Sequence, residues 1–148
     1  MTDVHIAVGE ADFDPAVQLA RLEALGGGAV ASFTGIVRGG DGLQAMQLDH
    51  YPAMTDAQIA RIVDEAQGRW PLLGVVVIHR VGELRPGERI VFVGTASAHR
   101  AASLESCAFL IDWLKTSAPF WKKERFDDGR AEWVEARAED DAARDRWG

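Results

Sequence analysis

The sequence is poor in the residues that usually carry redox and metal chemistry. It has one cysteine, Cys107, which excludes an internal disulfide framework and any CxxC metal or redox pair. It has no asparagine, hence no N-glycosylation acceptor. Two of its few histidines, His50 and His79, stand alone, without HExxH or paired Cys/His spacing, and read as polar residues at strand ends. No metal and no resident cofactor are expected. No apolar run approaches the roughly 18 residues that cross a membrane. Met1 to Glu10 lacks the basic stretch and long apolar run of a signal peptide, which points to a cytoplasmic protein. A basic excess is also missing: the net charge is -7, so the mean field repels nucleic acid and an anionic ligand needs a local cationic cluster. What remains is 148 residues, 47% of them hydrophobic, enough for one α+β domain over residues 1–148 with a charged tail from about residue 138.

Val4, Ile6 and Val8 alternate as a first strand. Asp14-Pro15 reads as an N-cap with proline at the first helical position, opening a helix that stops at Gly26-Gly27-Gly28. That glycine run matches neither GxxxxGK[ST] nor GxGxxG and reads as a helix-ending loop. Ala29 to Val37 is expected as a buried strand, Arg38 to Gly42 as an exposed loop, and Ala45 to Asp49 as a short strand. Thr55 with Gln58 has the spacing of a capping box, opening a helix to about Arg69 that buries Ile59, Ile62, Val63 and Ala66. The runs Val75 to Ile78 and Ile90 to Val93 flank the turn Arg85-Pro86-Gly87-Glu88 and should pair. A third long helix runs from about Ala98 or His99 to Ser117. Phe120 to Phe126 and Trp133 to Ala136 read as strands, and the tail from Glu139 as helical or frayed. Interspersed strands and helices favour helices packed on a mixed sheet.

Only three lysines are present, Lys115, Lys122 and Lys123, all in one short stretch, while every other basic residue is arginine. Arginine-favouring codon usage would explain the scarcity, not a role. On the third helix Leu104, Ala108, Ile111 and Lys115 share a stripe. Lys115 there either snorkels past the helix end or, partly buried near other cations, becomes a nucleophile or proton-transfer group. Phe109 and Trp113 project from another side, so the helix is expected to be covered on two faces, by the sheet and by another layer or subunit. His99-Arg100 at the start of this helix combines free N–H groups, the positive end of the dipole and a guanidinium into an anion site. The alternative is a simple cap, with Arg100 paired to Glu105. Arg38 adds either a second guanidinium or a solvated loop charge. Cys107, beside the apolar stripe, reads as a small core residue. Ser97 lacks the flanking glycines of a GxSxG elbow.

The chain resembles a known family through an ordered set of strings. They are Phe33-Thr34-Gly35 with Val37-Arg38, His50-Tyr51-Pro52 with Met54-Thr55, Ile78-His79-Arg80 with Gly82-Glu83-Leu84, Ile90 to Gly94, and Ser97-Ala98-His99-Arg100. Leu114-Lys115-Thr116, Ala118 to Lys122 and Trp133 to Arg137 follow. Together they resemble the large, catalytic subunit of molybdopterin synthase, the MoaE family.

The resemblance implies an α/β-hammerhead-like fold with an additional small antiparallel sheet, and a homodimer within a heterotetramer that carries a small ubiquitin-like subunit at each end. It implies a sulfurtransferase: sulfur passes from the Gly-Gly thiocarboxylate of the small subunit to cyclic pyranopterin monophosphate, and two transfers make the dithiolene of molybdopterin. By position, Arg38, His99 and Arg100 match the pterin-phosphate pocket and Lys115 and Lys122 the pocket lysines, with Lys123 and Glu124 beside the second. Ile36 stands where a basic residue is common. It is the one hint toward a rival reading, a non-catalytic module that binds a ubiquitin-like Gly-Gly tail. A Schiff-base lyase using Lys115 is a second rival.

Overall fold

A computed structural model describes residues 1–134 and 138–148. The elements follow in the order β1 (Asp3–Gly9), α1 (Pro15–Glu23), β2 (Ala29–Ile36), β3 (Leu43–His50), α2 (Pro52–Arg69), β4 (Leu72–Arg80) and β5 (Gly82–Leu84). They continue with β6 (Arg89–Ser97), α3 (Arg100–Thr116), β7 (Phe120–Phe126), β8 (Ala131–Val134) and α4 (Ala138–Asp145). The expected last strand, Trp133 to Ala136, is seen only through Val134, its final two residues lying outside the described residues.

Two four-stranded sheets result, ordered β1-β4-β6-β2 and β5-β3-β7-β8. The first is mixed, because β1 runs parallel to β4 while β4 and β2 both run antiparallel to β6. The second is antiparallel throughout. The expected α+β class and added antiparallel sheet are both present.

The central strands β4 and β6 are apolar on both faces because both faces are covered. Val75, Val77, Val91 and Val93 point into a core with Ile59, Ile62, Val63 and Ala66 of α2 and Leu110 and Trp113 of α3. Val76, Ile78, Phe92 and Ala96 point the other way, onto Leu22 of α1. Asp14 caps α1 as expected, its carboxylate accepting from the Ala16 N–H at 3.0 Å. Leu22, 1% exposed, needs a hollow in the sheet, and glycines supply it: a Cβ on Gly94 would lie 2.5 Å from a Leu22 methyl, and one on Gly74 would collide with Leu25. Gly28 permits a similar close approach, since a Cβ there would sit 2.5 Å from the Ala98 carbonyl oxygen. The glycine run thus packs against the segment leading into α3.

Three expectations are corrected. The strand at 29–37 is not buried: β2 is an edge strand, with Phe33 37% and Ile36 55% exposed. The capping box is absent, because Pro52, with its preset φ, starts α2 earlier. Thr55 therefore lies inside the helix, fully buried, and its hydroxyl donates to the Tyr51 carbonyl at 2.8 Å. On α3 the buried face is Ser103, Ser106, Cys107, Phe109, Leu110 and Trp113, whereas Leu104 is exposed. Small residues let α3 sit close to the sheet. Their hydroxyls are satisfied within the helix, Ser103 donating to the Arg100 carbonyl at 3.0 Å and Ser106 to the Ser103 carbonyl at 3.2 Å, so burying them costs little.

The second sheet packs on the β1, β2 and β6 ends through Val37, Met46, Leu48, Val81 and Leu84, with Phe120 against the same cluster. Among the described residues no helix is long and apolar enough to cross a membrane.

Candidate active site

The position of α3 decides where the candidate residues lie. β2 pairs with β6 so that Ala29 faces Ser97 and Ile36 faces Arg89. α3 then runs back along the sheet, placing its first residue at the Ser97 end and its last turn at the Arg89 end. At 1.5 Å per residue, Arg100 and Lys115 are about 22 Å apart. One chain therefore does not unite His99 and Arg100 with the lysines.

At the Arg89 end, Lys115 closes α3 and Lys122 lies on β7. In the antiparallel pairing of β3 and β7, Phe120 faces His50, Lys122 faces Leu48 and Glu124 faces Met46. Directly opposed residues share a sheet face, and Leu48 and Met46 are buried, so Lys122 and Glu124 belong to the inner face of this sheet. Lys123 falls on the outer face, its ammonium 5.4 Å from the Trp133 ring centroid. The string Lys122-Lys123-Glu124 is thus divided between two surfaces.

His79 lies at the same end of the fold as the two lysines. It is buried and stacked on Phe120, the ring centroids 3.9 Å apart and the planes 14° from parallel. Burial pushes its pKa down to about 4; the hydrogen bond to the Arg80 carbonyl opposes this, and the charges of Lys122, Lys115 and His50 push it further down. The charges felt at this imidazole thus come from α3, β7 and β3. His50 also packs on Phe120, at 6.1 Å, and its Nδ1 lies 3.2 Å from the Thr55 hydroxyl. Both histidines lie at strand ends, as expected, and Phe120 brings their rings to one place. One signal in the sequence was available for His79, a histidine closing an otherwise unbroken apolar run.

Lys115 itself is exposed, which agrees with the first of its two readings, an amine that snorkels past the helix end, and not with partial burial. Of the stripe it shares with Leu104, Ala108 and Ile111, Leu104 is 59% exposed while Ala108 and Ile111 are half-buried, so this face of α3 is only partly covered. Arg38 is exposed in the loop after Val37. The loop is held by the turn before β6, Val37 donating to the Glu88 carbonyl and accepting from Gly87, each at 2.9 Å. Because Val37 is buried in the cluster that contains Leu48, Arg38 belongs to the lysine end.

At the opposite end His99 is the N-cap of α3 but makes no side-chain cap hydrogen bond. Arg100 is exposed and does not pair with Glu105, which instead accepts from the Trp70 indole at 2.9 Å. The helix N-terminus, an imidazole and a guanidinium are thus left facing solvent, an arrangement suited to an anion. Cys107 is buried, its thiol pushed up to about 12 by burial, with Sγ 3.7 Å from the Val93 carbonyl oxygen. It is a core residue, as expected. Among the described residues no group of His, Cys, Asp and Glu is arranged to hold a metal ion.

Comparison with known proteins agrees with this architecture. The chain is 50% identical to the molybdopterin synthase catalytic subunit of Escherichia coli (strain K12), the match covering 99% of this chain and 100% of that one. It superposes on the molybdopterin biosynthesis MoaE protein from Burkholderia ambifaria with a TM-score of 0.82 at 46% identity, covering 100% and 99% of the two chains. It also superposes on a protein–protein complex of subunits 1 and 2 of molybdopterin-converting factor from Helicobacter pylori, with a TM-score of 0.69 at 25% identity, covering 91% and 90%. The family model described as MoaE protein matches residues 8–117, and with it the chain belongs to the MoaE family.

Proposed function

We propose that this chain is the catalytic subunit of a molybdopterin synthase, a sulfurtransferase that passes sulfur from the C-terminal thiocarboxylate of a small ubiquitin-like subunit to cyclic pyranopterin monophosphate. The observation that carries the reading is that α3 ends on Lys115 at the same end of the fold where β7 turns Lys122 to the inner face of its sheet, beside the stack of His79 on Phe120. Two ammonium groups at one end of the fold attract both the thiocarboxylate and the anionic precursor. In each transfer the thiocarboxylate sulfur displaces an oxygen substituent from a carbon of the precursor, and water hydrolyses the resulting thioester so that the sulfur stays on the precursor and the partner's tail leaves as a carboxylate. Lys115, at the exposed mouth, stands nearest the incoming tail and assists attack or proton transfer. Lys122, on the inner face, adds positive charge, with Glu124 on the same face and Lys123 at the outer rim.

Arg38, His99 and Arg100 hold the phosphate of the precursor, and a second copy of the chain supplies the last two. The partly covered stripe of α3 supports this. Ala101, Leu104, Ala108, Ile111 and Lys115 alternate three and four residues apart, the spacing of a seam between two helices. An isologous pair has a twofold axis. With the axis beside Ala108, Ala101 of one copy lies opposite Lys115 of the other, and His99 and Arg100 of the first copy come to the lysines of the second. The small subunit then binds at the two outer ends of a homodimer, completing a heterotetramer.

The test is product formation from the purified chain, cyclic pyranopterin monophosphate and the thiocarboxylated small subunit. Wild type forms the dithiolene, and Lys115→Ala, still folded by circular dichroism, forms none. A folded wild type that binds the tail yet makes no product would instead mark a non-catalytic binding module, with Ile36 the first position to change.

A further inference from the structure

The proposed reaction uses Lys115 and Lys122 and leaves unused the buried imidazole at the same end of the fold. His79 ends β4, and its Nδ1 lies 2.8 Å from the Arg80 carbonyl oxygen. A carbonyl only accepts, so the proton of the neutral ring sits on Nδ1 and Nε2 is left as an acceptor. The stack on Phe120 fixes the plane of the ring. Phe120 and Lys122 lie on the same face of β7, so the stack also determines how that strand presents its lysine.

Phe120 lies on the ring with Lys122 two residues along the same face of β7, and His50 of β3 packs on the same phenyl; the charges felt at the ring are those of Lys122, Lys115 of α3 and His50. The neighbouring cation on β4 is committed elsewhere. Arg80 donates to the Glu10 carbonyl at 3.1 and 3.2 Å and to the Arg89 carbonyl at 3.0 Å. Burial keeps the ring neutral at working pH, and the charges of the two lysines act in the same direction. A phenylalanine would fill the same space and stack on Phe120 equally well. What histidine adds is a buried acceptor that feels the ammonium charges.

We infer that His79 is a positioning residue for the sulfur transfer, its Nε2 and its stack on Phe120 together fixing the direction in which the lysine amines meet the substrate. The inference rests on the sulfur-transfer reading, so its test includes a measurement that needs neither partner nor precursor.

That measurement is nitrogen NMR of the histidine-labelled full chain, which has only four histidines to assign. His79 is expected as the Nδ1–H tautomer at neutral pH, with an Nε2 signal that moves in Lys122→Met or Lys115→Met. The kinetic arm uses His79→Phe, which keeps the stack and loses the acceptor, and His79→Gln, which restores an acceptor oxygen. His79→Phe is expected to melt no lower than wild type and to lose about tenfold or more in kcat, with KM for the small subunit within about twofold. His79→Gln recovers part of the loss. If His79→Phe does not fold, His79→Met is the second acceptor-free variant. An Nε2–H tautomer, an Nε2 signal indifferent to both lysine substitutions, or an acceptor-free variant with wild-type kcat overturns the inference. If wild type itself forms no product, the sulfur-transfer reading fails, and the NMR result still decides whether His79 serves the lysines.

Discussion

The two ends of α3 carry positive charge in opposite ways. At its start His99 and Arg100 stand in solvent, backed only by the helix N-terminus. At its end Lys115 and Lys122 lie near a ring stack that draws on β3, β4 and β7 and whose central imidazole is buried. An anion can be captured by exposed charge that adjusts to it. A reacting group needs a fixed direction, and a fixed direction needs a packed support. The proposed capturing and reacting ends are about a helix length apart in one chain, which is why the proposed site draws on a second copy.

The sharpest way to break this comparison is to place the two defects on different chains. Lys115→Ala and Arg100→Ala each reduce turnover, but unfolding and refolding them together forms mixed dimers with one intact site, restoring about a quarter of wild-type activity at equal mixing if sites are shared across a twofold. Activity no higher than the average of the two separate variants would return both residues to the same chain. A smaller effect is expected from Arg100→Ala alone, which should raise KM for the precursor on the order of 10- to 100-fold, with a lesser change in kcat. A loss confined to kcat would move Arg100 from capture to chemistry.

Acid stability distinguishes the ends next. His79 is held neutral in the fold, with its pKa near 4, whereas an unfolded histidine titrates near 6.5. Between those values the unfolded chain binds more protons, so this residue's contribution is present above about pH 6.5 and is lost as pH falls toward 4, amounting to up to about 3 kcal/mol. Denaturant melts of wild type should weaken across that window more than those of His79→Phe, while His99→Phe should follow wild type. Parallel curves for wild type and His79→Phe would show that His79 is not buried neutral. The smallest effect belongs to Cys107→Ala: turnover within about twofold of wild type, with a modest loss of stability from the cavity. A folded but inactive Cys107→Ala would overturn the assignment of the sulfur source to the partner.

Much of the fold is legible in the sequence because local signals and burial agree. Asp14-Pro15 caps α1, the β-branched runs of β4 and β6 pair, and Phe120 to Phe126 forms β7 over its full length. The scarcity of lysine led to Lys115 and Lys122. The errors arise where apolarity and burial part company. Leu104 and Ile111 look like the core face of α3, yet Ser103, Ser106 and Cys107 occupy it because a close approach to the sheet favours small side chains. Thr55 has cap spacing, yet Pro52 begins the helix before it. His79 is unremarkable among its neighbours in sequence and becomes meaningful only when Phe120, forty-one residues later, stacks on it.

The sealed thiol of Cys107 has a consequence for how such an enzyme tolerates its own chemistry. With a pKa pushed up to about 12, only about one molecule in 10⁵ carries a thiolate at neutral pH. On the proposed reading, sulfur travelling on a carrier tail therefore meets no competing thiolate of this chain, neither to capture the acyl group nor to store the sulfur as a persulfide. The same seclusion protects against peroxide, because sulfenic acid formation begins with an accessible thiolate. The sulfur in transit and the sulfur of the scaffold stay chemically separate, and activity should be indifferent to the redox poise around it.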